Sequence, residues 1–433
     1  MGDVQPVLLV LTAAVGFVLL IAVANLANLM LVKAVGRLRE FALRTALGAS
    51  RLRLIRQLLT EGLILTALGA ALGLLLAYES LSLLRAVSPP GVPQLNGVYI
   101  EERVLGFTLL ISVLSSVLFA LAPAWQAFKL NPNTDLKEGG GRAPALGPGR
   151  FRGVLVAAEV GLALILVAGA TLMARSFIRL QQVNVGFQPK NVLTAEIQMP
   201  DIRYSDPHYV DNFYHHLLER VDALPGVESA AVASGLPPDL MQLQDTFTIQ
   251  EHPTPPGQSD PLADLVFVNG DYFRTLGVPL IEGRTFTDAD TQAAPLVVII
   301  NQTLARNFFS NQNPVGSLLR QNRSNPWMRI VGVVADVKYD GLEARAFPAL
   351  YVPYLQHSWP GAYLAVRAKQ NPLGLAASVR DAVWSLDNQL PITGMKSAEE
   401  RLDESMATPR LRMFLLGFFG ILALSLASIG IYE

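Results

Sequence analysis

The sequence predicts an α-helical membrane protein of about five transmembrane helices. It carries one large α+β domain of two subdomains on the non-cytoplasmic side of the bilayer. Three observations predict this. Hydrophobic residues make up 51% of the 433 residues and charged ones only 16%, where a soluble domain carries roughly 25% charged. The charges avoid five long stretches. Between those stretches, Lys and Arg alternate from one side of the membrane to the other.

A bilayer core needs about 20 mostly apolar residues per helix. Residues 7–32 contain no charge, and neither do 62–78, a run that extends to about 84 past Glu79. The runs 104–122, 153–173 and 413–432 complete the set. A large soluble protein could bury one such run, but five that each stop abruptly at charges argue for spans.

Lys and Arg are retained in cytoplasmic loops, which orients the spans. Residues 33–61 hold Lys33, Arg37, Arg39, Arg44, Arg51, Arg53 and Arg56 against Glu40 and Glu61. Residues 124–152 hold Lys129, Lys137, Arg142, Arg150 and Arg152 against Asp135 and Glu138. Both segments are expected in the cytoplasm, with 79–103 and 184–409 outside. The outer segment 184–409 holds sixteen Lys and Arg against twenty-five Asp and Glu, a net −9. Only Asp3 precedes the first span, and the last apolar run reaches Glu433 without a basic flank. The expectation is a piece of a longer protein, with at least one span upstream and more downstream.

The outer segment alternates short strands and helices. Strands are expected at 192–198, 227–234, 247–251, 263–268, 296–300, 329–336, 349–354 and 363–368. Helices are expected at 209–224, 302–309 and 373–386. The first helix places Val210, Phe213, Leu217, Val221 and Leu224 on one face. Units of this length suggest split βαβ sheets. The Pro- and Gly-containing stretch 252–262 reads as a subdomain boundary.

Several kinds of chemistry are excluded. The absence of cysteine removes a disulfide framework, a zinc-thiolate site and a thiol nucleophile. A net charge of −1 gives no nucleic-acid footprint. No G-x-x-x-x-G-K-[ST] loop and no Gly-Lys pair occur, so nucleotide cannot be held in the P-loop manner. His208, His215, His216, His252 and His357 form no H-E-x-x-H pattern. Asp211 and Glu219 stand about one turn from the His pair, but plain surface histidines are the better reading. No cofactor is expected. Gly139-Gly140-Gly141 follows no strand and reads as cytoplasmic linker.

Within the spans, Asn25 and Asn28 share one helix face, and Gly69 and Gly73 make a small-xxx-small pair. Both read first as interhelical packing devices. Glu159 is the one acid well inside a span. It stands about two turns past Arg152, near enough to the cytoplasmic interface to snorkel.

The segment 33–61 is the most informative. Glu40 and Arg44 are spaced to pair along a helix, Gly48-Ala49-Ser50 breaks it, and Leu52, Ile55 and Leu59 begin a second amphipathic stretch. Its plainest use is binding anionic lipid; the sharper one is docking a cytoplasmic partner.

The pattern Arg37, Glu40, Arg44, Leu47-Gly48-Ala49-Ser50, Glu61 resembles the coupling segment of MacB/FtsX-like ABC transporter permeases. The outer domain resembles the MacB-type periplasmic core domain. The phrases that carry this are Leu224-Pro225-Gly226-Val227, Tyr272-Phe273 with Leu276-Gly277, Glu282-Gly283-Arg284-Thr285-Phe286, Ile300-Asn301, Asn313-Pro314-Val315-Gly316 and Ile330-Val331-Gly332-Val333-Val334. Gly430-Ile431-Tyr432 resembles the span that opens a permease unit. Each phrase is weak by itself; the set covers nearly the whole chain.

The likeness is greatest to the duplicated, ATPase-free branch. It implies an FtsX-like permease domain over 1–123 with three spans, a linker over 124–152 and a span of the second unit over 153–183. A MacB-like periplasmic core domain over 184–409 and the truncated start of a second permease domain over 410–433 would follow. The implied function is a permease subunit that couples a separate cytoplasmic ABC ATPase to export or periplasmic expulsion of substrate. ATP hydrolysis would belong to the partner. Arg37, Glu40, Arg44, Gly48 and Glu61 would form the docking surface. The implied setting is the bacterial inner membrane, with membrane lipid, a periplasmic adaptor and a dimeric arrangement of permease units. The competing reading is a non-transporting regulator that transmits ATPase motion to a periplasmic partner. A secondary transporter fits worse, because intramembrane charges are few and five spans make no inverted repeat.

Overall fold

The structure is a computed structural model. It describes residues 4–36, 51–87, 102–103, 105–108, 110–111, 113–114, 148–199, 207–238, 243–269, 271–309, 312–339, 341–357, 359 and 361–432. The chain divides into two compact units, Met1–Phe177 with Arg410–Glu433, and Ile178–Pro409.

The first unit is helical: α1 (Val4–Gly36), α2 (Arg51–Val87), α3 (Pro148–Gln181) and α9 (Ala407–Tyr432). Among the described residues three helices are long and apolar enough to cross a membrane, over Leu8–Leu29, Arg152–Gln181 and Ala407–Tyr432. These are the first, fourth and fifth expected spans. The second falls in α2, where Thr66–Ser80 is a shorter apolar helical stretch. Most of the third lies outside the described residues. Residues 51–61, expected as a second amphipathic stretch, run into the apolar stretch as one helix. Gly62 alone costs a helix only about 1 kcal/mol, and the Thr60 hydroxyl donates back to the Arg56 carbonyl at 2.7 Å without interrupting the turn.

Helices α1, α3 and α9 pack through Ala14, Ile21, Ala163, Leu166, Leu416, Ala423 and Ala427. The buried residues of α9 are Leu416, Gly420, Ala423, Ala427 and Gly430. Their alternating four- and three-residue spacing makes one stripe, and small side chains on it let helix backbones approach closely. Leu164, Leu172, Phe414 and Ile421 point outward, as apolar side chains of a spanning helix do towards lipid.

The second unit is an α+β domain. Its elements are β1 (Val192–Gln198), α4 (Pro207–Asp222), β2 (Val227–Ala233), β3 (Gln244–Ile249), β4 (Leu262–Val268), α5 (Tyr272–Leu276), β5 (Leu280–Gly283), β6 (Val297–Asn301), α6 (Gln302–Phe309), β7 (Leu318–Gln321), β8 (Met328–Val334), β9 (Ala349–Pro353), β10 (Gly361–Ala368), a 3₁₀ turn (Pro372–Leu375), α7 (Ala376–Trp384), β11 (Ile392–Ser397) and α8 (Ala398–Ser405).

Four strands lie in the order β11-β1-β10-β2, all antiparallel. Helices α4 and α7 cover one face with Val210, Phe213, Leu217, Val221, Val379 and Val383. The chain runs β1-α4-β2 and later β10-α7-β11, so each helix crosses over a strand placed between its own two. This is the split βαβ pattern, interrupted between β2 and β10 by everything from β3 to β9. The interruption closes on itself. Strands β4-β3-β7-β8-β6-β9 follow one another, and β9 pairs in parallel with β4 from Asp264↔Ala349 to Val268↔Pro353. A closed ring hides the exposed backbone of its edges. The two halves of the sheet join at the single pair Ala233↔Val268.

The join corrects one expectation. The stretch 252–262 is no boundary between subdomains, because it connects β3 to its antiparallel neighbour β4. Pro and Gly there serve a long hairpin loop. The expected strands and helices are present with ends shifted by a few residues. The elements without a counterpart in the expectation are α5, β5, β7, β11 and α8.

Candidate coupling and helix-packing site

Of the five residues expected to couple to a partner, Arg37, Glu40, Arg44 and Gly48 lie outside the described residues. Glu61 sits on α2, with its side chain outside them. Gly69 and Gly73 also lie on α2, one turn apart. No described atom lies within 4 Å of a Cβ built on either, so the small face they form is open among the described residues.

Asn25 and Asn28 are placed differently. Both are buried, 6% and 1% exposed, on the side of α1 that meets α3 and α9. The Asn25 Nδ2 donates to the Leu426 carbonyl of α9 at 2.7 Å. In an unbroken helix that carbonyl already takes the N–H four residues on, here Gly430, so Asn25 uses its second lone pair. Neither amide atom of Asn28 has a hydrogen-bond partner among the described residues.

Glu159 overturns its expected role. It does not snorkel to the interface; its side chain is 0% exposed, enclosed between α3, α1 and α9. A Cβ built on Gly430 would overlap both Glu159 Oε2 and Asn25 Oδ1, and would lie 3.2 Å from Glu159 Cδ. The missing side chain at 430 is therefore what leaves room for a carboxylate and an amide from two other helices. Nothing in the chain order brings residues 25, 159 and 430 together, so the sequence alone does not pair Asn25 with Glu159.

Among its described residues the outer domain holds no comparable centre. Among the described residues no group of three or more His, Cys, Asp or Glu could hold a metal ion. His215 and His216 both reach Glu219, at 3.3 and 3.1 Å, on an exposed helix face. The polar groups instead fix loops. Arg284 forks onto Asp290 at 2.7 and 2.8 Å, and that hydrogen bonding holds the Asp290 carboxyl below its usual range. Arg323 forks onto Asp260, whose pKa its hydrogen bond draws down to about 2. Tyr272, Tyr339 and Tyr351 chain their hydroxyls at 2.7 and 3.3 Å inside the core. Burial pushes all three phenols up, so they stay neutral donors.

The family-like phrases prove to be fold-fixing. Gly283 has φ +76, and a Cβ on it would overlap the Val331 carbonyl. A Cβ on Gly332 would likewise overlap the Arg284 carbonyl. The two glycines let β5 lie flush on β8. Asn301 donates to Phe347 O at 2.8 Å and accepts from the Leu304 and Ala349 amides, both at 3.0 Å.

One further arrangement went unread in the sequence. The strands at the two ends of the outer domain are neighbours, pairing from Leu193↔Ser397 to Ile197↔Ile392 across a register shift between Thr194 and Glu196. A capping box starts α8 at once: Glu400 N donates to Ser397 Oγ at 3.1 Å, and Ser397 N donates to Glu400 Oε2 at 3.0 Å. Lys396 holds Glu404 at 2.6 Å. The S-x-x-E spacing of Ser397 and Glu400 was the available signal. Thus α3 leads into β1, and β11 leads through α8 into α9, by way of adjacent strands.

Comparison with known proteins assigns the chain to a family. Residues 157–383 match the family model of the MacB-like periplasmic core domain, and residues 12–132 match that of the FtsX-like permease C-terminal domain. The chain belongs to the MacB/FtsX-like family of ABC transporter permeases. It is 35% identical over 117 residues to the uncharacterized ABC transporter permease YknZ of Bacillus subtilis, covering 27% of this chain and 28% of that one. It is 32% identical over 134 residues to the macrolide export ATP-binding/permease protein MacB of Nitrobacter winogradskyi, covering 30% and 19%. The matched stretches thus span less than a third of either relative. Among solved structures, the periplasmic region of MacB from Actinobacillus actinomycetemcomitans aligns at 17% identity and TM-score 0.35, covering 50% of this chain and 93% of that one.

Proposed function

We propose that this chain is the permease part of an ABC transporter, driven by a separate cytoplasmic ATPase to export substrate or expel it from the periplasm. The observation that carries this is the entry of both helices flanking the outer domain, α3 and α9, into adjacent strands of one sheet. A shift of one helix against the other would act first on the β1–β11 ladder. The order of the matches, permease model before core-domain model, supports two consecutive permease units on one polypeptide. That the matched relatives are named as permeases favours transport over a purely regulatory role.

In this reading the basic segment 33–61 faces the cytoplasm. Arg37, Glu40, Arg44, Gly48 and Glu61 dock the ATPase, and Gly69 and Gly73 offer a packing face to a further helix. The setting is the bacterial inner membrane, with the core domain in the periplasm. A periplasmic adaptor and a dimeric arrangement of permease units complete the assembly.

The test is ATP hydrolysis by the partner, stimulated by the full-length protein in reconstituted membranes. Replacing Glu40 with Lys adds positive charge, so lipid attraction holds or strengthens. A docking surface instead loses a complementary contact, worth about 2–5 kcal/mol if buried. Stimulation should collapse in Glu40→Lys and in Gly48→Pro. If it survives in both, segment 33–61 binds lipid and does not dock.

A further inference from the structure

We infer that Asn25, Glu159 and Gly430 form an intramembrane latch. It holds α1 against both helices that flank the outer domain and sets the register in which coupling movement reaches it. The second clause rests on the proposed function; the latch itself does not.

Three facts converge. Asn25 and Glu159 are buried, at 6% and 0% exposure, in a helix cluster whose apolar core is Ala, Ile and Leu and whose one other buried polar residue among the described residues is Asn28. A polar side chain inside a bilayer is costly and needs a reason to be kept there. Both point at one place, the bare backbone of Gly430, where a single methyl would overlap the two of them. And the contact is directional, since Asn25 donates to the Leu426 carbonyl one turn before Gly430. Apolar packing alone tolerates small sliding of helices; a hydrogen bond to one named carbonyl does not.

The connectivity gives the latch its consequence. Helix α1 runs into the basic segment 33–61, α3 leads to β1, and α9 receives the chain from β11 through α8. A clamp on α1 that grips both other helices at one level transmits its movement to them as a unit. These are positioning residues, with no contact to substrate implied.

The chain contains no cysteine, so probes can be placed singly in the full-length protein. Spin labels at the exposed positions Leu9 of α1 and Ile429 of α9 report the distance between these helices. A Cβ built on Gly420 lies 3.6 Å from Ala170 Cβ, within disulfide range. The pair Ala170→Cys with Gly420→Cys therefore reports that α3 and α9 are still packed. Wild type should give one narrow distance distribution. Gly430→Ala, Asn25→Leu and Glu159→Leu should broaden or shift it while the 170–420 disulfide still forms; Glu159→Gln, which keeps the shape and polar atoms, should leave it narrow. Partner ATPase stimulation should fall in the first three variants, by about three- to tenfold in Asn25→Leu, which loses the interhelical hydrogen bond to Leu426. An unchanged distribution in both Gly430→Ala and Asn25→Leu overturns the latch. If the distribution broadens as expected but even wild type stimulates no ATPase, the transport reading fails and the latch stands.

Discussion

Asn301 in the outer domain and Asn28 in the membrane helices are equally buried, at 1% exposure, yet their fates differ. Asn301 makes three hydrogen bonds to backbone groups. Asn28 makes none among the described residues, and Asn25 obtains one by sharing a carbonyl already engaged in its helix. The difference follows from the two backbones. Where β6 turns into α6, strand ends and a helix start leave amides and carbonyls without ladder partners, and a side-chain amide can serve them all. A spanning helix has satisfied its own backbone already, so a buried amide there must find a side chain or double up on a carbonyl. Polar burial thus stabilises one region and specifies helix register in the other.

The largest expected contrast comes from truncating leucine in each region. Leu217 of α4 is 0% exposed in the core of the outer domain, so Leu217→Ala should cost about 2–5 kcal/mol in urea unfolding. Leu164 of α3 is 60% exposed, outside the packed cluster of α1, α3 and α9, so Leu164→Ala should leave the 170–420 disulfide yield unchanged. The first measurement uses residues 184–409 alone, which should fold without added metal because they hold a core of their own. A domain that stays unfolded until metal is supplied would break the comparison at its base.

Asn301→Ala sharpens the point at smaller scale. It strands the Leu304 and Ala349 amides and the Phe347 carbonyl, and a stranded buried group costs about 1–3 kcal/mol. Water entering the gap should hold the total near 2–3 kcal/mol, again read by urea unfolding of residues 184–409. Asn25→Ala, by contrast, leaves the Leu426 carbonyl with its own helix bond. Its effect should appear as a change of helix distance more than as lost stability.

Elements were legible in the sequence where periodicity was long enough to count. Strand β1 and helix α6 were expected at their observed bounds, and four residues of the buried face of α4 were named, Val210, Phe213, Leu217 and Val221, though Tyr214 was missed. What was missed was short or broken in pattern. Strands β5 and β7 have four residues each, and β11 contains Gly394 at φ +58. The ring closure was illegible because a parallel pairing of β4 with β9 joins residues some 85 apart with no local signal. At the candidate site, Asn25, Asn28 and Glu159 stood out in the sequence as polar residues in apolar runs. The site was not legible in its geometry, because Glu159 acquires meaning only once Gly430 lies against it.

The smallest effect concerns pH, and its sign follows from burial. His357 stacks on Phe267 at a centroid distance of 5.9 Å, its Nδ1 without a hydrogen-bond partner among the described residues. Burial lowers its pKa below the ordinary 6.5, because an imidazolium there loses water and gains nothing in exchange. The unfolded chain then takes up this proton before the folded one does. Stability from His357 is complete above pH 6.5 and is lost as pH falls from there towards the folded-state value. His357→Phe keeps the stacked ring and removes the titration. The urea midpoint of residues 184–409 should therefore fall less steeply between pH 7 and pH 5 in His357→Phe than in wild type. Asp260 and Asp290, held low by Arg323 and Arg284, lose their stabilisation only at more acidic pH, so they do not obscure this window. Equal slopes in the two proteins would mean that the folded domain protonates His357 as readily as the unfolded chain.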